Sequence, residues 1–200
     1  MSIFNPFNKF NCLIVVTGLP GAGKTTLTYN MSKVFDIACL SLDEYKESES
    51  IKHGFNNKFE RDIVFTLAKQ SFKIDILNNV RLGLSLIIES AFSKEWQDFF
   101  DYIVEVYNYD LIVVDCTSRN FDDIWDSRVK RDLSDDRLQS LISEKFKDGK
   151  CIKRDTFLLS DAHKSLSKTQ YDNGWFNSIQ GDYHITDEIV YKEFLNVDIT

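Results

Sequence analysis

The sequence has little of what stabilises small secreted or metal-dependent domains. Its four cysteines form no Cys-x-x-Cys pair, and no histidine lies at metal-ligand spacing from any of them. We interpret Cys12, Cys39, Cys116 and Cys151 as reduced residues that pack as small hydrophobic side chains. No apolar run is long enough to span a bilayer, so no membrane partner is expected. The first residues carry no positive cluster followed by a long apolar segment, so we expect no secretory signal and a cytoplasmic location.

The sequence also has fewer basic residues than acidic ones. The chain has 24 lysines and arginines against 31 acidic residues, a formal net charge of −7. Binding along a nucleic acid backbone needs a basic face, so this balance argues against it. A local exception is the tract 147–168, which contains Lys147, Lys150, Lys153, Arg154, Lys164 and Lys168. A solvated surface is the favoured explanation of this tract, and a nucleic-acid groove is the alternative.

What the sequence does contain is a regular alternation of strand and helix patterns. Apolar runs predict strands at Leu13–Val16, Ile37–Leu40, Leu84–Glu89, Asp110–Asp115 and Tyr183–Ile185. Helical patterns lie at Lys24–Phe35, Glu60–Asn79, Lys94–Val106, Phe121–Lys147 and Asp187–Leu195, and a polar segment covers Glu44–Lys58. Such alternation predicts an α/β fold of three layers (αβα), with a parallel five-stranded sheet and helices on both faces. We predict one domain over residues 1–200, with a helical lid at about 118–150.

A glycine-rich loop follows the first predicted strand and precedes a helix. It fits the phosphate-binding pattern G-x-x-x-x-G-K-[ST] in the required context. The predicted phosphate-binding residues are Gly18, Leu19, Pro20, Gly21, Ala22, Gly23, Lys24, Thr25 and Thr26. Glycines let the backbone curl around phosphates, and the amides meet at the positive end of the helix. The loop therefore predicts a P-loop NTPase fold that binds a nucleoside triphosphate.

Two side chains distinguish this loop from a strand–turn–helix connection that requires only glycine. Lys24 is predicted to reach the β- and γ-phosphates, and the Thr25 hydroxyl to ligate Mg²⁺. Without nucleotide, we expect Lys24 to face solvent.

GTPases usually carry Asn-Lys-x-Asp after a late strand, whereas the nearest match here, Asn57–Glu60, precedes the third strand and ends in glutamate. ATP is therefore the favoured nucleotide. A motor-type ATPase would need a second helical domain, for which the chain has little room.

Three segments together resemble a known group of enzymes. GLPGAGKTTL, then SLDEYKE after the second strand and LIIESAF after the third, are similar to P-loop kinases grouped with polynucleotide kinase, gluconate kinase, chloramphenicol phosphotransferase and zeta toxins. The resemblance covers roughly residues 11–140, and its first motif is the specific one. It implies a phosphotransferase with an alcohol group as acceptor, Asp43 facing that hydroxyl, and a lid bearing Arg128, Arg131 and Arg137. One departure is Glu89, where related sequences often have aspartate.

The chemistry of these residues supports the same roles. Asp43 directly follows a strand, at the sheet edge where open α/β folds bind ligands, and its carboxylate can accept a proton from an attacking hydroxyl. The alternative is a helix-capping aspartate or a solvated loop aspartate beside Glu44. Arg128 and Arg131 lie three residues apart on one helix face and can close over phosphates. The alternative is surface pairing with Asp132, Asp135 or Asp136.

Two carboxylates compete for the Mg²⁺ side of the site. Glu89 ends the third strand and Asp115 ends the fourth. We favour Glu89, because after a first crossover the third strand usually lies beside the P-loop strand. Asp115 could equally cap the following turn.

These observations leave three hypotheses open. The first is an ATP-dependent kinase that acts on a hydroxyl of a small-molecule or nucleotide-like acceptor. The second is a polynucleotide 5′-hydroxyl kinase, which requires the tract 147–168 to line a groove. The third is an ATP-binding regulatory module without an acceptor.

The aromatics Phe92, Trp96, Phe99 and Phe100 have helical spacing, which favours core packing over stacking on an acceptor. The sequence does not indicate the acceptor or the oligomeric state.

Overall fold

The computed structural model describes Phe7 and residues 11–117, 119–134, 139–174 and 179–195. Within them, five parallel strands form one sheet in the order β2-β3-β1-β4-β7. These strands are β1 (Cys12–Thr17), β2 (Ala38–Ser41), β3 (Leu86–Glu89), β4 (Asp110–Asp115) and β7 (Tyr183–Thr186). A separate antiparallel hairpin consists of β5 (Ser143–Lys147) and β6 (Lys150–Arg154). The predicted α/β fold with a five-stranded parallel sheet is confirmed.

Helices surround the sheet. They are α1 (Lys24–Phe35), α2 (Leu42–His53), α3 (Lys58–Arg81), α4 (Gln97–Tyr107), α5 (Phe121–Leu133), α6 (Asp161–Asp172) and α7 (Asp187–Ile189), the last continuing as a π-helical segment, Val190–Leu195. Short 3₁₀ turns lie at Lys94–Trp96, Gln139–Ile142 and Thr156–Leu159. Among the helices that the structure describes, none is long and apolar enough to cross a membrane.

Strand β1 lies at the centre of the sheet and is buried along its whole length. Its side chains alternate between two apolar cores: Ile14 and Val16 pack on the side of α1 and α5, and Leu13 and Val15 on the side of α3 and α4. A strand buried on both faces appears in sequence as a continuous apolar run, which is why this strand was predictable.

The register places two carboxylates at the same edge of the sheet. Strand β1 pairs with β3 on one side and with β4 on the other, so that Val16 is opposite Glu89 and Thr17 is opposite Asp115. Strand β3 therefore lies beside the P-loop strand, as predicted. Because these strands are parallel, their carboxyl ends meet where the glycine-rich loop begins.

Two segments differ from the sequence prediction. The polar segment after β2 forms helix α2, which ends at Gly54 with φ 63°. The helix that begins at Phe121 stops at Leu133 instead of continuing to Lys147, because Ser134 is extended. The chain later forms the β5–β6 hairpin around Asp148 and Gly149, whose φ angles of 50° and 75° suit a tight hairpin turn. The predicted helical lid is thus one helix plus a hairpin.

Candidate functional site

The glycine-rich loop is held tightly between neighbouring segments. Gly18, Gly21 and Gly23 have φ angles of 144°, 98° and 92°, which favour glycine. A Cβ atom at Gly18 would lie 2.9 Å from the carbonyl oxygen of Cys116, and one at Gly21 would lie 2.4 Å from that of Ile124. Gly23 precedes α1 and has no side chain to cap it. The amides at the start of α1 therefore remain available to an anion.

Lys24 is less exposed than expected, because its amine is bonded to the loop. Its side chain is half-buried, and its amine donates to the carbonyl oxygens of Gly18 at 3.1 Å and Leu19 at 3.0 Å. Burial lowers the pKa of Lys24, an effect that the nearby Glu89 and Asp43 carboxylates oppose. The amine thus lies beside the loop, bonded to neutral carbonyls, where an anionic phosphate would be a stronger partner.

Glu89 lies at the end of β3, buried beneath the start of α1. Its carboxylate accepts hydrogen bonds from Ser41 Oγ at 2.8 Å and Thr25 Oγ1 at 3.2 Å, and Thr28 Oγ1 lies 3.5 Å away. Strand alternation explains this orientation: Ile88 packs towards α3 and α4, so Glu89 faces α1. The pair of Thr25 hydroxyl and Glu89 carboxylate supplies the hard oxygen donors that Mg²⁺ prefers.

Asp115 faces the opposite side of the sheet. Val114 packs in the core beside α1, so the next side chain on the strand points the other way. Asp115 Oδ2 lies 3.1 Å from His184 Nδ1, and Oδ1 has no hydrogen-bond partner among the described residues. Burial, with a smaller effect of the Asp187 carboxylate, raises the pKa of Asp115 to about 7. The structure thus brings Glu89, rather than Asp115, to the Thr25 hydroxyl.

Asp43 lies in the first turn of α2 and lines the same cleft as Lys24. Its side chain is 35% exposed, and Oδ1 accepts from Lys46 Nζ at 2.9 Å. Helix α2 is entered from Ser41, which is the N-cap residue, so Asp43 does not occupy the capping position. The carboxylate is therefore accessible from the cavity.

A cavity of about 390 Å³ joins most of the predicted site residues. The cations lining it are Lys24, Lys46, Lys69, Arg128 and Arg131, and the carboxylates are Asp43, Glu89, Glu95 and Asp132. Thr25, Ser90 and Ser93 add hydroxyl groups. Among the described lining residues, the tract 147–168 contributes Leu158. Three of its lysines, Lys153, Lys164 and Lys168, instead pair with Glu144, Asp122 and Asp172.

The two lid arginines are brought together by one carboxylate. Arg128 Nε and Arg131 Nε each lie 3.5 Å from Asp132, which is buried. Arg128 is itself buried and has its Nη2 atom 3.3 Å from His163 Nδ1, whereas the Arg131 side chain is 37% exposed. Pairing with Asp132, the predicted alternative, therefore occurs, but at the cavity wall. Arg137, Asp135 and Asp136 lie outside the described residues.

Three cations that line the cavities of the site were not predicted from the sequence. Arg119 follows β4 and donates to the Gly21 carbonyl at 3.4 Å and to Ser127 Oγ at 2.8 Å. It lines a second groove of about 260 Å³ with the loop residues Gly21, Gly23, Lys24, Thr25 and Thr26, and with Ser127 and Arg131. Lys46 and Lys69 line the main cavity. Lys46 lies one turn after Asp43, so a prediction of α2 as a helix would have found it.

The aromatic cluster packs in the core, which was the favoured interpretation. Phe92, Trp96 and Phe100 are buried, and their ring centroids lie 5.2 to 6.1 Å apart. Phe99 packs partly against the same core. Trp96 also reaches the cavity wall.

Comparison with known proteins supports the fold. No protein-family model matches the chain, and no curated protein matches it in sequence. A solved structure from Chloroflexus aurantiacus, described as a candidate kinase, superposes with a TM-score of 0.70 at 22% identity and covers 89% of this chain and 88% of that one. A sugar kinase from Janibacter sp. HTCC2649 (TM-score 0.50, 14% identity, 93% of each chain) and a deoxyadenosine kinase from M. mycoides (0.50, 13%, 92% and 95%) are also similar. The chain thus has the fold of P-loop kinases.

The buried Asp115 predicts an unusual pH dependence of stability. A folded-state pKa of about 7 lies above that of an ordinary aspartate, so the folded protein holds a proton there that the unfolded chain releases. The stability that this proton contributes is present at low pH and is lost as the pH rises through 7. Asp115→Asn should therefore be more stable, relative to wild type, at pH 8.5 than at pH 6.

Urea unfolding of wild type and variant at the two pH values measures the difference. Asp126→Asn, which changes an exposed carboxylate on α5, is the control and should show no such pH-dependent gain. A variant whose relative stability stays constant, or falls as the pH rises, would contradict the raised pKa.

Proposed function

We propose that the protein is an ATP-dependent kinase that transfers the γ-phosphate of Mg-ATP to a hydroxyl of a small-molecule or nucleotide-like acceptor. The observation that carries this proposal is the shared cavity, which joins the P-loop lysine, the Thr25–Glu89 pair, Asp43 and two arginines. A regulatory module that only binds ATP has no need for an accessible carboxylate opposite the P-loop. A polynucleotide kinase would gain from a basic groove, and among the described lining residues no lysine or arginine comes from the tract 147–168.

The nucleotide is held by the loop and the groove beside it. In this proposal the backbone amides that begin α1 bind phosphate oxygens, and Lys24 exchanges the Gly18 and Leu19 carbonyls for the β- and γ-phosphates. Any Cβ at Gly18 or Gly21 would collide with backbone, so the loop keeps the shape that such a cradle needs. The groove lined by Arg119 and Ser127 then accommodates the remainder of the nucleotide.

The oxygen donors at the carboxyl end of β3 fit Mg²⁺. The Thr25 hydroxyl and the Glu89 carboxylate, already within 3.2 Å of each other, would hold the ion, with Glu89 acting directly or through water. When bound, the ion neutralises charge on the phosphates. Ser41, which bonds the same Glu89 oxygen at 2.8 Å, keeps the carboxylate in place.

Asp43 is the proposed base. As the acceptor oxygen forms its bond to the γ-phosphorus, the bond between that phosphorus and the β–γ bridging oxygen breaks, and ADP departs. The hydroxyl proton passes to the Asp43 carboxylate, which also orients the attacking oxygen. Lys46, 2.9 Å from the same carboxylate, holds it towards the cavity.

The lid arginines stabilise the transferred group. Charge on the phosphoryl oxygens is redistributed in the transition state, and cations placed in advance lower the barrier at little reorganisation cost. Asp132 lies between Arg128 and Arg131, 3.5 Å from the Nε atom of each, and its charge favours the presence of both guanidinium groups at the cavity wall. Their contribution is therefore expected in turnover more than in binding.

Asp43→Asn tests the proposal. The change keeps the size of the side chain and removes its charge and basicity. We expect Mg-ATP binding to persist, and phosphoryl transfer to fall by about two to four orders of magnitude, the range for a general base. Titration calorimetry and an ADP-release assay over a panel of hydroxyl acceptors measure the two effects. Glu44→Gln, which changes the adjacent exposed carboxylate on α2, is the control. Normal transfer by Asp43→Asn would rule out its proposed role.

Glu89→Gln should raise the Mg²⁺ concentration needed for half-maximal rate, because it removes the anionic ligand beside Thr25. Asp115→Asn should leave this concentration nearly unchanged, since Asp115 faces the other side of the sheet. Magnesium titrations of the two variants at saturating ATP make the comparison. A larger shift for Asp115→Asn would reverse the assignment.

Arg131→Ala should lower the maximal rate by about one to several orders of magnitude, on the scale of arginine fingers, with a far smaller change in ATP affinity. Arg128→Ala should also lower the rate, but it leaves the buried Asp132 with one arginine fewer and should destabilise the fold as well. Arg131 is therefore the cleaner test, with exposed Lys130→Ala on the same helix as its control. Normal turnover by Arg131→Ala would remove the arginine from the mechanism.

A further inference from the structure

The cations of the main cavity come from two sides. Lys24, Arg128 and Arg131 belong to α1 and α5, and the proposed phosphoryl transfer uses all three. Lys46 and Lys69 belong to α2 and α3, on the side that carries Asp43. Phosphoryl transfer itself gives Lys69 no role, so its place in the wall needs another explanation.

These two lysines flank a partly exposed aromatic ring. The Lys46 amine lies 5.6 Å from the centre of the Phe65 ring, and its side chain is only 19% exposed. Phe65 and Lys69 are four residues apart on α3, and both line the cavity, so they point to the same side of the helix. The acceptor side of the cavity therefore presents two amines around an apolar surface.

Lys69 is available to a ligand. Its amine contacts Glu95 Oε1 at 2.8 Å, but the two side chains are 40% and 60% exposed. Ion pairs this exposed are weak, because water and salt screen them. An anion entering the cavity could therefore take over the amine at little cost.

We propose that the acceptor carries an anionic group, a phosphate or a carboxylate, which Lys69 binds with help from Lys46. This inference rests on the proposed kinase function and names its substrate class. Ser90 and Ser93 line the same cavity and suit a polar, hydroxyl-bearing compound. A volume of about 390 Å³, shared with the terminal phosphate of ATP, suits an acceptor of the size of a sugar phosphate, a sugar acid or a mononucleotide.

Pairs of acceptors that differ only in an anionic group test whether the protein prefers a negatively charged acceptor. Initial rates of ADP release from Mg-ATP are measured with neutral sugars and nucleosides, and with their phosphorylated and carboxylated counterparts. We expect at least one anionic compound to have a kcat/KM about 10-fold or more above that of its neutral parent, since charge-assisted hydrogen bonds are the stronger kind. The phosphorylated and carboxylated arms of the panel distinguish the two anions.

Lys69→Gln tests whether Lys69 binds the anionic group of the acceptor. For the preferred anionic acceptor, KM should rise about 10- to 100-fold with little change in kcat, and the neutral parent should be unaffected. Lys69→Arg, which keeps the charge, should restore most of the affinity. Lys73→Gln is the matched control: this lysine lies one turn further along α3, with its amine over the rings of Trp96 and Phe99 at 4.8 and 4.7 Å. Its KM should change less than about threefold.

The outcomes separate this inference from the proposed function. Equal or better use of neutral acceptors, or an unchanged KM in Lys69→Gln, overturns the anionic subsite and leaves the kinase intact. Turnover of neutral acceptors without turnover of any anionic acceptor also overturns it. Failure of the proposed function itself would appear differently, as wild-type protein that transfers phosphate to no acceptor, neutral or anionic, or that binds Mg-ATP no better than Lys24→Ala does in calorimetry.

Discussion

Strand β1 forms parallel ladders with β3 on one side and β4 on the other, and the site depends on this arrangement. Three strands end at one edge, so the P-loop, Glu89 and Asp115 lie within one neighbourhood. The pleat then separates the two carboxylates onto opposite faces. Glu89 meets the hydroxyls of α1, whereas Asp115 meets His184 of β7. The alternation of side chains along the strands thus decides which acid meets the Thr25 hydroxyl.

Close packing and hydrogen bonds connect the segments that form the walls of the cavity. The P-loop packs against α5 so closely that Gly21 admits no Cβ, which places Arg128 at the wall. Arg154 of the hairpin donates to the Asp132 carbonyl at 2.6 Å, and Arg61 of α3 binds Asp155 and the Ser143 carbonyl at 3.0 Å. The hairpin therefore connects α5, on the proposed nucleotide side, with α3, on the proposed acceptor side. Ligands on the two sides would contact parts of one connected structure.

The sheet and the loop were predictable because their signals are local. Continuous apolar runs and spaced glycines need no knowledge of neighbours, and the strand positions were nearly right. Helix α2 was missed because its exposed face is polar, with Leu42, Glu49 and Ser50 as its buried residues. The hairpin had a signal in Asp148-Gly149 that was not used. Lys69 could not be found at all, since only tertiary packing brings α3 to the cavity.

The central claim is that the γ-phosphate goes to an acceptor hydroxyl, and its fate can be followed directly. Mg-ATP labelled at the γ-phosphate is incubated with the protein and pooled small hydroxyl compounds, and the products are separated. The account predicts label in a phosphate ester, formed in equal amount to ADP and only when acceptors are present. Label found solely in inorganic phosphate, at a rate that acceptors do not change, would contradict it.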